Sequence, residues 1–207
     1  MGRFRTLPAR FFRRPAEEVA AELLGRFVVR DLEEERLVLR IVEVEAYLGA
    51  RDRASHAWQG RRTERNKSLY EDGGVAYVYF IYGMHYCLNV VTGRSGNGDA
   101  VLLRAGEPIA GAATMLEHRR LSRSPRRGDL AGGPGKLCQA LNIDRDFDGS
   151  PLTRGALRIT EGGPAPPEVV VTGPRIGIAY AGEAADWQLR YAIHGNRHVS
   201  RPLPWSK

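Results

Sequence analysis

The run Val75–Val91, VAYVYFIYGMHYCLNVV, limits the fold more than any other stretch of the chain. β-Branched and aromatic residues fill both of its arms, which favours paired strands over a helix. Gly83 interrupts the run near its middle, and a glycine supplies the backbone angles of a sharp bend. The stretch therefore reads as a β-hairpin. In its first arm Tyr77, Tyr79 and Ile81 share one face, and Val78, Phe80 and Tyr82 the other. Tyr82 then sits at the tip, where a core has little use for a phenol. On the hairpin alone it is either a wedge for a base stack or a half-exposed tyrosine on an ordinary amphipathic ribbon.

The rest of the chain must supply a core for that hairpin, and 207 residues suffice for one domain over residues 1–207. The charge balance is basic, with 31 Lys+Arg against 24 Asp+Glu and a formal net charge of +7. Such an excess points to a polyanion or an acidic surface as partner. The only lysines are Lys67, Lys136 and Lys207. Arginine suits bidentate phosphate contacts, although a GC-rich genome produces the same bias. Cys87 and Cys138 lie in apolar runs that resemble neither a disulfide framework nor a zinc site. No signal peptide or run of transmembrane length is evident, so a soluble, cytoplasmic protein is expected.

Taken in order, Phe11 and Phe12 precede a helix with Pro15 near its start, Glu17 and Glu18 in its first turn and Gly25 as its stop. Val19, Ala20, Leu23 and Leu24 form its apolar face. Arg26–Asp31 reads as a strand, and Leu37–Tyr47, LVLRIVEVEAY, as another. In that second strand strict alternation puts Leu37, Leu39, Ile41, Glu43, Glu45 and Tyr47 on one face. Two glutamates there are either solvated strand-end charges or buried carboxylates that need partners. Gly49–Asp72 is irregular and carries Arg51, Arg53, Arg61, Arg62, Arg65 and Lys67 interleaved with His56, Trp58 and Tyr70, a pattern fit for tracking a nucleic-acid backbone or for simple solvation.

Beyond the hairpin, Ala100–Arg104 is a strand, and Pro108 is expected to open a helix over Ile109–Leu121 with Ala112, Met115 and Leu116 inward. Ser122–Asp129 is a basic loop. Gly132–Asn142 enters a short helix through glycines whose N–H groups, with Lys136, could hold an anion, but it lacks P-loop spacing. Further strands are expected at Leu157–Thr160, Val169–Val171, Arg175–Ala179 and Leu189–Ile193, with a proline-rich stretch Gly162–Pro167 and a loose end, Arg201–Lys207. The fold class is α+β: a mostly antiparallel curved sheet with a protruding hairpin and flanking helices.

Several blocks then match one family in order: VEAYLG (Val44–Gly49), His56 seven residues on, YVYFIYGMHYCLN (Tyr77–Asn89), VLLRA (Val101–Ala105) and GPGKLCQAL (Gly133–Leu141). Together they resemble the alkyladenine family of 3-methyladenine DNA glycosylases, over about Leu7 to Val199. The resemblance implies an enzyme that flips a damaged purine out of duplex DNA and hydrolyses its N-glycosidic bond, leaving an abasic site. Chemistry on a base requires its removal from the stack, at a cost of about a few kcal/mol. Tyr82 matches the family's intercalating residue, with Ile81 and Met84 beside it on the DNA-contacting tip. Thr63, Arg65 and Asn66 match phosphate-contacting positions.

By the same resemblance Tyr47, His56 and Tyr79 match the residues that stack on the flipped base, and their π-faces favour a cationic, methylated purine. Asn89 matches the residue that disfavours the amino group of normal guanine, and Leu102 lines the pocket. Glu45 matches the general base that takes a proton from the attacking water. Arg104 and the backbone carbonyl of Ile176 match the groups that position that water. Glu43 has no such match and is taken as structural. The implied partner is double-stranded DNA containing damaged purines, the implied location the bacterial cytosol or nucleoid. No cofactor, no metal and no membrane are implied, and a monomer is the default.

Strand nicking through a Schiff base would need an amine, and Lys67 and Lys136 fall in blocks with other family uses, so none is expected. The zinc deaminase pattern is missing. His85 departs from a position usually aromatic, the loop Gly93–Asp99 is longer than in some relatives, and Leu69 replaces a longer apolar residue. Two other readings stay open on the residues: a non-catalytic nucleic-acid-binding module with a wedge, and a hydrolase of free nucleosides or glycosides whose activity would be insensitive to salt.

Overall fold

The computed structural model describes residues 5–121, 128–162 and 169–201. A one-turn helix α1 (Ala9–Phe12) leads into α2 (Ala16–Leu23), which has Pro15 before it and Glu17 and Glu18 in its first turn. Strands β1 (Phe27–Asp31) and β2 (Arg36–Leu48) follow, then an irregular segment of short 3-10 turns. The hairpin is β3 (Ala76–Ile81) and β4 (His85–Thr92), and β5 spans Asp99–Ala110. Helices α3 (Ala112–His118) and α4 (Pro134–Ala140) precede β6 (Leu157–Thr160), β7 (Val170–Gly173) and β8 (Arg190–Ile193). These eight strands form one sheet with the order β3-β4-β5-β2-β1-β6, β8 pairing with both β2 and β7, and every pairing is antiparallel. Among the described residues no helix is long and apolar enough to cross a membrane.

Alternation along the strands divides the sheet into a core face and a working face. Ala76 and Val78 of β3, Leu88 and Val90 of β4, Val101 and Leu103 of β5 and Val44, Ala46 and Leu48 of β2 join the main core. Phe12, Val19, Leu23, Leu137 and Leu141 cover them from the helices. Their neighbours in sequence, Tyr77, Tyr79, Asn89, Leu102, Arg104 and Tyr47, point to the opposite face and line a cavity. The core face is therefore a floor that fixes where the polar and aromatic residues stand.

Strict alternation fails in the middle of β2. Leu37, Leu39 and Ile41 belong to the main core, yet so do Val44, Ala46 and Leu48. Against β5, Ile41 faces Gly106, Glu43 faces Ala105 and Val44 faces Leu103, so Val42 and Arg104 are each passed over. These paired bulges reverse the phase of both strands. Glu43 and Glu45 thus do not extend the face of Leu37–Ile41, as expected from alternation. They turn to the working face, and the bulge delivers Arg104 to them.

Three other expectations are corrected. Pro108 and Ile109 lie inside β5, not in a helix; Pro108 pairs with Leu39 next to another register shift, in a part of β5 beyond the end of its pairing with β4. A residue without an N–H is tolerated at such a half-paired position. Helix α3 starts after Gly111 and buries Met115, with Leu116 half-buried and Ala112 exposed. Arg175–Ala179 is not a strand, because its Arg175 and Ile176 bond to side chains across the working face and Ala179 starts a 3-10 turn. The loop Gly93–Asp99 packs on Tyr70, whose carbonyl accepts from Gly96 N and Ser95 Oγ, at the end of β4 away from the tip. Ser122–Arg127, most of the proline-rich stretch and residues 202–207 lie outside the described residues.

Candidate active site

Glu45 is completely buried, and its carboxylate accepts two hydrogen bonds and pairs with one cation. The backbone N–H of Ile176 donates to Oε1 at 2.7 Å, and the Tyr47 hydroxyl to Oε2 at 2.9 Å. Arg104 Nη1 lies 3.3 Å from Oε1. The same guanidinium donates through Nε to Glu43 Oε1 at 3.0 Å. Glu43, also fully buried, takes Arg190 Nε at 2.7 Å and the Ser200 hydroxyl at 2.8 Å. Burial works against the Arg104 charge, but Glu45 and Glu43 outweigh it and hold its pKa above the ordinary value. The resemblance implies a water-positioning role for the Ile176 carbonyl; its amide nitrogen, in addition, bonds Glu45 directly.

Tyr47, Arg104 and Ile176, the three residues that touch Glu45, also wall a cavity of about 580 Å³. Tyr77, Tyr79, His56, Asn89, Leu102 and Ile81 line it further, and Tyr82 stands at its edge. The Tyr79 ring is 4.6 Å from that of His56 and 5.3 Å from that of Tyr77, an aromatic cluster on one side. Burial, then the Glu45 carboxylate, pushes the Tyr47 phenol well above its usual pKa, so it stays a donor. Burial does the same to Tyr79. Desolvation beside the Tyr rings, followed by the Arg65 and Arg61 charges, lowers His56, and its Nδ1 meets the Tyr77 hydroxyl at 2.8 Å. The Asn89 amide donates to Tyr77 O at 3.0 Å, which fixes its rotamer on the cavity wall.

At the hairpin tip Tyr82 has φ 53 and Gly83 φ 68, and the Met84 N–H closes the turn onto Ile81 O at 3.2 Å. A left-handed backbone is costly for a bulky aromatic. Tyr82 nonetheless is 80% exposed and Met84 68%, so two large apolar side chains project from the tip. Arg65 ties the irregular basic segment to the hairpin by donating to Phe80 O. Thr63 and Arg65 are exposed and border a second cavity of about 680 Å³ that also takes in Arg53, Arg61 and Trp58. Asn66 is different. It is buried, with Oδ1 accepting from Thr63 N at 2.7 Å and Nδ2 donating to His56 O and Arg61 O at 2.9 Å each. Its amide therefore staples the segment that presents His56.

Residues to which the sequence assigned no place in this pocket also reach the cavity. Tyr77 shares the face of Tyr79, and that alternation alone could have singled it out. His85 lines the wall beside Gly135, where an added Cβ would lie 3.0 Å from the His85 side chain. Cys87, paired with Tyr79 across the hairpin, also lines the cavity, its thiol pushed up to about 11 chiefly by burial. Lys136 lines the cavity as well, with Nζ 3.8 Å from Asp129. Arg175 and Asp52 form a pair beneath Tyr47 that no local pattern announces, being 123 residues apart.

The arrangement sets a buried, multiply bonded carboxylate and an arginine against an aromatic cavity in the size range of small-molecule sites. Comparison with known proteins agrees with that chemistry. Residues 10–197 match the family model described as Methylpurine-DNA glycosylase (MPG). A protein of Methanocella arvoryzae is 45% identical over 198 residues, covering 96% of this chain and 97% of its own length. One from Bacillus velezensis is 44% identical over 200 residues, covering 97% and 99%. One from Natranaerobius thermophilus is 41% identical over 191 residues, covering 92% and 96%. All three carry the name "Putative 3-methyladenine DNA glycosylase".

Proposed function

Because the chain belongs to the methylpurine-DNA glycosylase family, we propose that it excises alkylated purines from duplex DNA as a monofunctional glycosylase. The observation that carries this reading is the Glu45 carboxylate bonded to Tyr47, Arg104 and Ile176, all three of which face the aromatic cavity. The hairpin tip enters the duplex, Tyr82 fills the gap left by the extruded nucleotide, and Ile81 and Met84 flank it. The exposed Thr63 and Arg65, on the segment that Asn66 pins in place, meet the phosphate backbone.

The extruded base stacks between Tyr47 on one side and Tyr79 with His56 on the other. A purine methylated on a ring nitrogen is cationic and is favoured by the aromatic faces. Asn89 and Leu102 shape the far wall against normal guanine. A water at the wall formed by Tyr47, Arg104 and Ile176 gives its proton to Glu45 as its oxygen bonds to the anomeric carbon. The C–N bond breaks and its electron pair leaves with the base, neutralising the cation. Arg104 pairs with the Glu45 carboxylate at 3.3 Å and the Ile176 amide keeps it aimed. General-base assistance of this kind contributes about 10²–10⁴-fold.

The test is a panel of duplexes with a single 3-methyladenine, 7-methylguanine, hypoxanthine or ethenoadenine, scored for free base released and for strand breaks before and after alkali. The reading expects free base from at least one cationic lesion, with breaks only after alkali. A protein that binds these duplexes and releases no base is a binding module, and one that cleaves free nucleosides but not duplexes is a small-molecule hydrolase.

A further inference from the structure

The buried pair Asp52–Arg175 lies outside the cavity, yet it holds both hydrogen-bond donors that grip Glu45. Both side chains are fully shielded from solvent. Arg175 binds Asp52 through two parallel contacts, Nη1 to Oδ2 at 2.5 Å and Nη2 to Oδ1 at 2.9 Å. It also donates to Ala46 O at 3.0 Å and Ala184 O at 3.1 Å, and its guanidinium stands 4.7 Å from the centre of the Tyr47 ring. Asp52 in turn accepts Leu48 N at 3.1 Å and Ala54 N at 2.9 Å.

Three consequences follow from these contacts. Arg175 immediately precedes Ile176, so the fork that fixes Arg175 fixes the amide that donates to Glu45 Oε1. The same guanidinium packs on the ring whose hydroxyl donates to Oε2. The two amides on Asp52 come from the segment that leaves β2 just after Tyr47, so the base and its phenol partner are anchored to the pair from the chain side as well. A planar, bidentate, always-charged fork is what such rigid placement needs, and lysine cannot reproduce it.

We infer that Asp52 and Arg175 are positioning residues for the glycosidic hydrolysis, holding the Ile176 amide and the Tyr47 hydroxyl on the Glu45 carboxylate. This inference rests on the proposed glycosylase reading. Misplacing a catalytic group by about 1 Å costs about a hundredfold in rate, so loss of the fork is expected to act on the chemical step and not on lesion binding.

Asp52→Asn keeps the shape and removes the charge; Arg175→Lys keeps the charge and removes the fork. Each is assayed by single-turnover base release from a 7-methylguanine duplex, by affinity for the same duplex and by thermal melting. Each is then combined with Glu45→Gln. The expected result is a folded variant with wild-type affinity and base release slower by about tenfold to a hundredfold. That loss should disappear in the Glu45→Gln background, because a residue that acts through Glu45 has nothing left to position. If Asp52→Asn does not fold, Arg175→Lys decides by the same criteria. A folded variant that releases base at the wild-type rate overturns the inference, as does a loss that persists undiminished when Glu45 is glutamine. Absence of base release by the wild-type protein would defeat the glycosylase reading itself, a separate outcome.

Discussion

The backbone N–H of Ile176 meets Oε1 of Glu45 at 2.7 Å, joining two positions 131 residues apart. That bond couples the end of strand β2 to a segment of no regular secondary structure, and it turns a buried carboxylate from a liability into an oriented group. A carboxylate with no water and no partner is strongly disfavoured. Here Tyr47, Arg104 and Ile176 together supply what water would have supplied, and they do so on the wall of the aromatic cavity.

Arg104 should matter to stability as well as to chemistry. Arg104→Met leaves Glu43 and Glu45 buried with one cation fewer, and breaking such a cluster typically costs about 3–5 kcal/mol. Denaturant melts should show that loss, with base release falling too. A variant as stable as wild type would mean that the remaining partners, among them Arg190 on Glu43, suffice for the carboxylates.

Tyr82 should show the opposite division between stability and function. Its side chain is 80% exposed and its φ is 53, so Tyr82→Gly removes no core contact and relieves the backbone. The melting temperature should hold or rise slightly. Affinity for a lesion duplex should fall about tenfold or more, since the unstacking cost of about a few kcal/mol is no longer offset. Unchanged affinity would remove the wedge from the account.

Much of this division was legible in the chain. Alternation in Tyr77–Ile81 and the glycine at 83 suffice to place the hairpin, its tip and its aromatic face, and Pro15, Glu17 and Glu18 suffice for α2. The double bulge at Val42 and Arg104 was not legible, because a bulge is set by how two strands pair and each strand reads as regular alone. For the same reason Glu43 and Glu45 seemed to prolong an apolar face. Pro108 looked like a helix start because the local signal cannot tell where β4 ceases to pair with β5. The Asp52–Arg175 fork joins residues that no window contains together.

Asp99 gives a pH test that does not involve the reaction. Burial, then the Glu17 charge, pushes its carboxyl from 3.8 up to about 6. A carboxyl with a raised folded pKa is held protonated by the native state, so the stability it contributes is complete below about pH 4 and lost as pH rises through 6. Asp99→Asn should therefore stabilise the protein at pH 7.5, by at most about 3 kcal/mol, and make little difference at pH 4. Equal shifts in melting temperature at both pH values would contradict the assignment.

The proposal that the protein does not nick the strand is open to direct trial. Lys136 reaches the cavity wall, where its Nζ lies 3.8 Å from Asp129 and 3.4 Å from Gly128 O. Both contacts turn the amine toward acceptors, whereas a Schiff base needs it free to attack the sugar carbon. Borohydride added during turnover should trap no protein–DNA adduct. A trapped adduct that disappears in Lys136→Met would assign a lyase step to this residue.

The central claim is that Glu45 activates the water that severs the base from its sugar. The decisive measurement is single-turnover release of free base from a duplex holding one methylated purine, compared between the wild-type protein and Glu45→Gln, with duplex affinity measured alongside. The account predicts that the variant grips the lesion as tightly as wild type and releases base slower by about 10²–10⁴-fold. Release by Glu45→Gln at the wild-type rate would contradict it.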